Sequence, residues 1–404
     1  STVGDEYSLA EGDNANTGLS PNAPKATLAA VLAAYDLGPG DVIRIDTGTY
    51  NLAGNVAVAA DDSGVQIEGP RIGTASLNRG NTATGSYVFE LAGADDVTLS
   101  RLTLTGGQFA VFGSSSADSD RFTLEFSTLT GNSLGGVSLA SSNDQPVLSQ
   151  NRVVGGSQDG SLTQGTDALI VGNEVSGSGS AGMFVSGVRS RIRGNEVYNA
   201  TTGLDLSGSS TSSLNDRIEV TGNLVHHNSS TGISAYYGTL VSGNTVWGQT
   251  SSSGRGIYVI YGATAQENEV FDNTIGIELY DSGTVQGNRV YRNTNTGIRL
   301  ARGGSVIGNT VYSNSVGIDV TDSRVGTRSV ANNLVYANTN QGIRVAISNT
   351  QVVNNTVYQP VGNAMLVENS VSNITLRNNI LWVDAGYAIY VATNSQTGFV
   401  SDYN

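Results

Sequence analysis

The sequence predicts an all-β solenoid of stacked parallel strands, and two repeated phrases carry that prediction. The first reads G-N-E-V-S, G-N-E-V-Y, G-N-L-V-H, G-N-T-V-W, E-N-E-V-F, G-N-R-V-Y, G-N-T-V-Y, N-N-L-V-Y, N-N-T-V-Y and N-N-I-L-W between Gly172 and Trp382. Its asparagines are Asn173, Asn195, Asn223, Asn244, Asn268, Asn288, Asn309, Asn333, Asn355 and Asn379, spaced by 20 to 28 residues. Self-similarity at such a period marks a repeat architecture. The second phrase follows a little later in each repeat, as in Gly203-Leu204-Asp205-Leu206, Gly276-Ile277-Glu278-Leu279, Gly297-Ile298-Arg299-Leu300 and Gly317-Ile318-Asp319-Val320. Short runs that alternate apolar and polar residues are strands, and the Gly, Asn and Ser between them mark turns.

Composition narrows the classes. A chain of 404 residues is long enough for two ordinary domains, but a solenoid grows in one dimension and needs no division. There is no cysteine, so neither disulfides nor thiol chemistry enter. No run of 18 apolar residues exists, and no membrane partner is expected. The formal charge is -14, with Lys25 the sole lysine. Binding of a polyanion such as nucleic acid needs clustered Lys and Arg to neutralise phosphates, so nucleic acid is excluded as an expected partner. A chain only 13% charged and rich in Ser, Thr, Asn and Gly would read as disordered without the repeat, which overrides composition.

In order along the chain, residues 1–64 are expected to be an N-terminal cap with the first strands, and 65–404 the repeats, a single structural domain. Leu28, Val31, Leu32 and Tyr35 recur at helical spacing, so Pro24 to Tyr35 is predicted as an amphipathic helix stopped by Gly38 and Pro39. It serves as a cap over the exposed end of the first coil. Asp41 to Asp46 reads as the first strand and Gly48-Thr49-Tyr50 as its turn. Coils continue through Val65 to Glu68, Val97 to Leu104, Phe122 to Leu129 and Val147 to Val154, for about twelve coils in all. Leu206 to Arg217 and Thr321 to Ser329 interrupt the period and are expected as loops. Ser1 opens without a signal segment, and Ser401-Asp402-Tyr403-Asn404 stops in mid-phrase, so an excised module of a larger protein is expected.

The recurring Asn has a physical reason. At a turn its side chain bonds backbone amides, and the Asn of the next coil bonds to it in a ladder. The Val two positions later points inward and stacks on its equivalent, with coils about 4.8 Å apart.

The G-N-x-V-Y and G-I-x-L phrases resemble the repeats of the right-handed parallel β-helix proteins: pectate-lyase-like enzymes, alginate lyases, mannuronan epimerases and NosD-type carbohydrate-binding repeats. The strings N-x-G-L-S-P-x-x-P-K-A-T-L and G-D-V-I-x-I-D-T-G-T-Y, between Asn16 and Tyr50, are similar to the start of secreted bacterial β-helix proteins. The resemblance covers nearly the whole chain. It implies a right-handed coil, a polysaccharide partner, a monomer and a bacterial protein that is secreted or at the cell surface. It does not choose among lyases, epimerases, hydrolases, phage depolymerases and non-catalytic adhesins.

In that family sugar polymers usually lie along one sheet, so outward positions in a single column are the informative ones. The column behind each Gly-Ile reads Phe184, Asp205, Ser234, Tyr258, Glu278, Arg299, Asp319, Arg344. Glu278 and Asp319, two coils apart and about 9 to 10 Å between backbones, suit an acid and base pair in inverting glycoside hydrolysis. Alternatively Arg299 or Arg344 neutralises a uronate carboxylate while Tyr258 or an Arg removes the C5 proton, the lyase and epimerase chemistry implied by the resemblance. Glu278, Asp319, Arg299 and Tyr258 are therefore the catalytic candidates, and Arg344, Asp205, Tyr236 and His226 the substrate-binding ones. Alternating charge on neighbouring coils is also the cheapest way to stack ions in one column, so a structural ion ladder stands beside this reading.

His226-His227 are the two histidines, with Tyr236-Tyr237 in the same coil. His beside Tyr suits proton transfer. Yet His226 also occupies the aromatic column of Tyr198, Trp247, Phe271, Tyr291, Tyr312, Tyr336, Tyr358 and Trp382, where it substitutes for a stacking ring, and the D-P-H-[ED] string of mannuronan epimerases is absent. That column reads as a stacked ladder or as a sugar platform. No metal site is expected. Ca2+ is the one candidate cofactor, at Asp281-Ser282 and Asp322-Ser323, without an EF-hand or nonapeptide pattern. The expected function is processing of an acidic polysaccharide as a lyase, epimerase or hydrolase; the alternative is a non-catalytic carbohydrate-binding, adhesion or spacer module.

Overall fold

The computed structural model describes residues 5–210, 214–321 and 328–404. The chain forms two compact units, Ser1–Ala200 and Thr201–Asn404. Each is built the same way, from coils that contribute one strand to each of three parallel sheets. In the first unit the opening coil consists of Val42–Arg44, Gly48–Asn51 and Val56–Ala59, which define the first, second and third sheets. These strands pair in parallel with Gln66–Glu68, Ala75–Asn78 and Tyr87–Ala92 of the following coil. In the second unit a typical coil is Glu269–Phe271, Ile275–Asp281 and Thr284–Gln286, running from the second sheet through the third to the first.

The short strands are three residues with only the middle one inward, and those middle residues stack: Val225, Val246, Val270, Val290, Val311, Val335 and Val357 are successive partners. On the third sheet Ile233, Ile257, Ile277, Ile298, Ile318 and Ile343 do the same. All of these are fully or almost fully buried, each contributing about 1.5–3 kcal/mol by burial. The Gly before each Ile allows close approach: a Cβ on Gly276 would lie 2.5 Å from the Gly297 carbonyl oxygen of the next coil.

The first corner explains the asparagine phrase. Asn288 donates from its backbone N–H and Nδ2 to Asn309 Oδ1 at 2.9 and 3.0 Å, and from Nδ2 to the Ala265 carbonyl at 3.0 Å. Its own Oδ1 accepts both N–H groups of Asn268 at 2.9 Å. The same pattern links Asn223, Asn244, Asn268, Asn288, Asn309, Asn333, Asn355 and Asn379. The residue before each ladder asparagine is left-handed, as at Gly287 (φ 64°), Gly308 (65°), Asn332 (58°) and Asn354 (56°). Gly and Asn are the residues that enter this region at least cost, which is why the phrase opens G-N or N-N.

Three expectations change. There are about fifteen turns, not twelve, because the early coils fold without the asparagine phrase. There Ser127 takes the ladder position, its hydroxyl accepting from the Leu102 N–H at 3.1 Å and its N–H donating to Asn151 Oδ1 at 3.0 Å. Gly48-Thr49-Tyr50 is part of a strand, not a turn: Gly48–Asn51 pairs with Ala75–Asn78, and the turn is completed by Asp46 and Thr47. The cap helix is only Leu28–Leu32, with Thr27 Oγ1 accepting from the Ala30 N–H at 3.2 Å and Leu28 as its buried residue. Tyr35 lies beyond it, its hydroxyl donating to the Thr17 carbonyl at 2.6 Å.

Candidate functional site

Of the eight expected column residues, seven lie in Thr201–Asn404 on one row of the third sheet. Asp205 pairs with Ser234, Ser234 with Tyr258, Tyr258 with Glu278, Glu278 with Arg299, Arg299 with Asp319, and Asp319 with Arg344. Phe184 belongs to the other unit, on a strand paired with Ser161–Thr163. Strand alternation holds this row outward, since the Ile and Leu or Val on either side of each member face the core.

Outward does not mean open. Glu278 and Asp319 are 5% and 7% exposed, because the longer arginines cover them. Arg255 ion-pairs with Glu278 through Nε and Oε2, and its guanidinium lies 4.7 Å from the Tyr258 ring centre. Arg344 Nη1 donates to Asp319 Oδ1 at 3.1 Å and its Nε to Glu368 Oε1 at 2.7 Å. Arg299 sits between the two carboxylates, with Nη1 at 3.8 Å from Glu278 Oε1, too far for a hydrogen bond. Its Nε is buried with no partner among the described residues.

Burial shifts the protonation of Asp319 and Tyr258. Desolvation pushes the Asp319 carboxyl above its ordinary 3.8, a stronger effect than the pull of Arg344 and Arg299 in the other direction. Arg344 is more open and faces two carboxylates, which hold it charged and raise it. Tyr258 is pushed up to about 12 by desolvation, with the Glu278 charge adding to it. A phenol so placed keeps its proton, which runs against its use as a base and suits it as a hydrogen-bond donor.

The remaining candidates divide. Tyr236 ends the strand Thr231–Tyr236 of the same sheet, in register with Ser207. His226 lies on the second sheet, paired with Trp247, and its ring stacks on that indole at 4.4 Å and 21°. The fold therefore carries His226 and Tyr236 onto different sheets. The stack continues through Phe271, Tyr291, Tyr312 and Tyr336 at centroid spacings of 4.9 to 5.8 Å and angles of 3 to 10°. Ring faces in this column meet other ring faces, which favours the ladder over a sugar platform.

Two contributors escaped the sequence reading. Arg255 precedes its Gly-Ile pair and so sits outside the column, yet reaches Glu278 diagonally; the string R-G-I was its only sign. A second ladder of Asn228, Gln249, Asn273, Asn293, Asn314, Asn338 and Gln359 lines the next corner, N–H to side-chain oxygen at 3.0 to 3.4 Å. Its signal was present in F-D-N, Y-R-N, Y-S-N and Y-A-N, two residues past the aromatic column.

Among the described residues no three His, Asp or Glu side chains gather as a metal site would require. Asp281 ends the strand Ile275–Asp281 beside Ser282, whereas Asp322 and Ser323 lie outside the described residues. So do residues 211–213 and 322–327 of the two expected loops. No helix among the described residues is long and apolar enough to cross a membrane.

Three parallel sheets, an internal asparagine ladder and an outward ionic row define the class as a parallel β-solenoid. The sequence profile described as a right handed beta helix region matches residues 87–246 and 215–327, more than half of the chain, and the protein belongs to that family. A second profile, the periplasmic copper-binding protein NosD, matches residues 302–401. Among curated proteins none matches. Similar solved structures include pectate lyase Pel9A, at 16% identity over 95% of this chain and 76% of that one, with a TM-score of 0.33. The A-module of the mannuronan C-5 epimerase AlgE4 of Azotobacter vinelandii is 14% identical over 91% and 95%, with a TM-score of 0.42. A PL6 alginate lyase in complex with a trisaccharide is 13% identical over 92% of each chain, with a TM-score of 0.47.

Proposed function

We propose that this chain acts on an acidic polysaccharide through the outward face of the third sheet in Thr201–Asn404, with Arg299 receiving a uronate carboxylate. The observation that carries the reading is the state of Arg299. Its guanidinium is held between Glu278 and Asp319 by charge, each of those carboxylates is hydrogen-bonded by a different arginine, and its own Nε finds no partner among the described residues. The side chain is 24% exposed with its Nε buried, so an incoming carboxylate meets this planar, permanently charged group at its Nη end, whose N–H groups hydrogen-bond no described residue.

Around it the other residues take roles by their chemistry. Asp319, with its proton held more tightly than usual, is the group suited to deliver or accept a proton at the sugar. Tyr258 donates a hydrogen bond, Glu278 fixes Arg299 and Arg255, and Arg344, Asp205 and Tyr236 line the same sheet as binding groups. His226 belongs to the aromatic stack and drops out of the substrate contact. Lyase, epimerase and hydrolase chemistry all fit these parts. Such a substrate puts the protein outside the cytoplasm, secreted or at the cell surface.

Incubation with alginate, pectin and neutral polymers, followed by absorbance of unsaturated products and reducing-end counts, tests the activity. Arg299→Ala is expected to weaken uronate binding by about 1.5–3 kcal/mol, the worth of a charge-assisted hydrogen bond. No binding and no product across the panel would sink the proposal. A second reading, a non-catalytic adhesion or spacer module, is favoured by the pairs Arg255 with Glu278 and Arg344 with Asp319 and Glu368, which close the ions on one another. There Arg299→Ala leaves any glycan binding unchanged and costs only about 0.5–1 kcal/mol of stability.

A further inference from the structure

We infer that Tyr258, Tyr261 and Tyr280, at the ends of two adjacent third-sheet strands, form an aromatic rest for a pyranose ring beside the Arg299 contact. The inference rests on the reading of that face as a glycan surface and names a second subsite on it. Its first support is a register shift, the one found among the described strand pairs of Thr201–Asn404. Val259 pairs with Leu279 but Ile260 pairs with Asp281, so Tyr280 is an extra residue without a ladder partner. Bulges are uncommon in parallel pairs, bend the strand and re-aim the side chain they carry. Here the bulge sets the Tyr280 ring 5.9 Å from the Tyr258 ring, at a tilt of 56°. Arg302 lies over one face of Tyr280 at 3.9 Å and is hydrogen-bonded to its hydroxyl, and Arg255 lies over one face of Tyr258 at 4.7 Å, so charge fixes each ring on one face and the sugar is to meet the other.

The second support is Tyr261. It has φ 51°, a region bulky side chains rarely enter. Its ring stacks on Tyr237 at 5.2 Å and 16°, and it remains 45% exposed. The residue beside it in the following coil is Ser282, whose carbonyl accepts from the Gly262 N–H at 3.2 Å. No described ring other than Tyr237 lies against Tyr261, so one of its faces is left without an aromatic neighbour.

The occupant is chosen by continuity. Tyr258, Glu278 and Arg299 are successive partners on one row, two strand spacings or about 9.5 Å from first to last. A glycan chain that gives a carboxylate to Arg299 runs next over rings whose faces take sugar C–H groups and whose hydroxyls reach sugar oxygens. Tyr258 keeps its proton for that purpose.

Titration calorimetry with galacturonate and mannuronate monomers and with their saturated tetramers, on wild type and on Tyr261→Ala, Tyr280→Leu and Arg299→Ala, separates the two subsites. Expected are a threefold to tenfold loss of tetramer affinity, about one aromatic contact, for each tyrosine variant with the monomers unaffected, and a loss of both probes for Arg299→Ala. Circular dichroism checks that each variant is folded; Tyr261→Leu replaces a tyrosine variant that is not, and Arg299→Met replaces Arg299→Ala. Tetramer binding at wild-type strength in both tyrosine variants, with Arg299→Ala impaired, overturns the aromatic rest and leaves the arginine contact standing. No binding of any probe to the wild type overturns both.

Discussion

Asp319 shows how much of this protein is decided by single side chains. Its carboxyl is raised above the ordinary 3.8 by burial, against two arginines. The folded protein therefore binds this proton more tightly than the unfolded chain does. The contribution to stability is fully present below pH 3.8 and is lost as pH rises through the raised value. Asp319→Asn keeps an oxygen for Arg344 and removes the titration. The stability of wild type relative to that variant, from urea unfolding at a series of pH values, should fall as pH rises across this interval and then level; a difference that climbs with pH would contradict the assignment. The same scale explains the corners. Glycine or asparagine before each ladder asparagine was visible in the sequence, but its reason, a left-handed backbone at Gly287 or Asn354, became legible only with φ in hand.

At the scale of elements, every second-sheet strand from Leu224–His226 to Leu334–Tyr336 ends in a ring, and each of these rings packs on the next. Tyr312 has Tyr291 at 5.0 Å on one side and Tyr336 at 4.9 Å on the other, and its hydroxyl accepts from Arg289 at 2.7 Å. Two stacked contacts of about 0.5–1.5 kcal/mol each, beyond the area buried, are lost in Tyr312→Ala. We expect about 1–3 kcal/mol by urea unfolding together with a reduced near-ultraviolet dichroism band, whereas Tyr312→Phe retains most of both. An unchanged midpoint for the alanine variant would mean that the rings are a surface ornament of the repeat. The period made this column readable in advance, and it correctly gave His226 a second identity as a stacking ring. It gave no sign of the bulge at Tyr280, since an inserted residue in one strand looks like ordinary variation in a repeat of 20 to 28 residues.

On the whole-molecule scale, stability in a repeat protein is close to a sum over coils and their nearest neighbours. Asn288→Ala leaves the two N–H groups of Asn268 and the Ala265 carbonyl without their partners, a cost of about 2–4 kcal/mol. Hydrogen exchange should show lost protection in the coils around Asn268, Asn288 and Asn309, fading within a few coils and leaving Val42 to Ser149 as in wild type. Uniform loss along the chain would instead require all-or-none cooperativity. The sequence by itself determined the period, the parallel stacking, the inward Val and Ile columns and the membership of the ionic row, because like residues at a fixed interval are satisfied only when coil lies upon coil. The tertiary structure alone decided which arginine each carboxylate receives, that Arg255 comes in from outside the row, that His226 and Tyr236 part company, and that Arg299 is left with an unused donor. Those outcomes depend on side-chain reach across neighbouring coils and on one extra residue in a strand, and neither is written in a period.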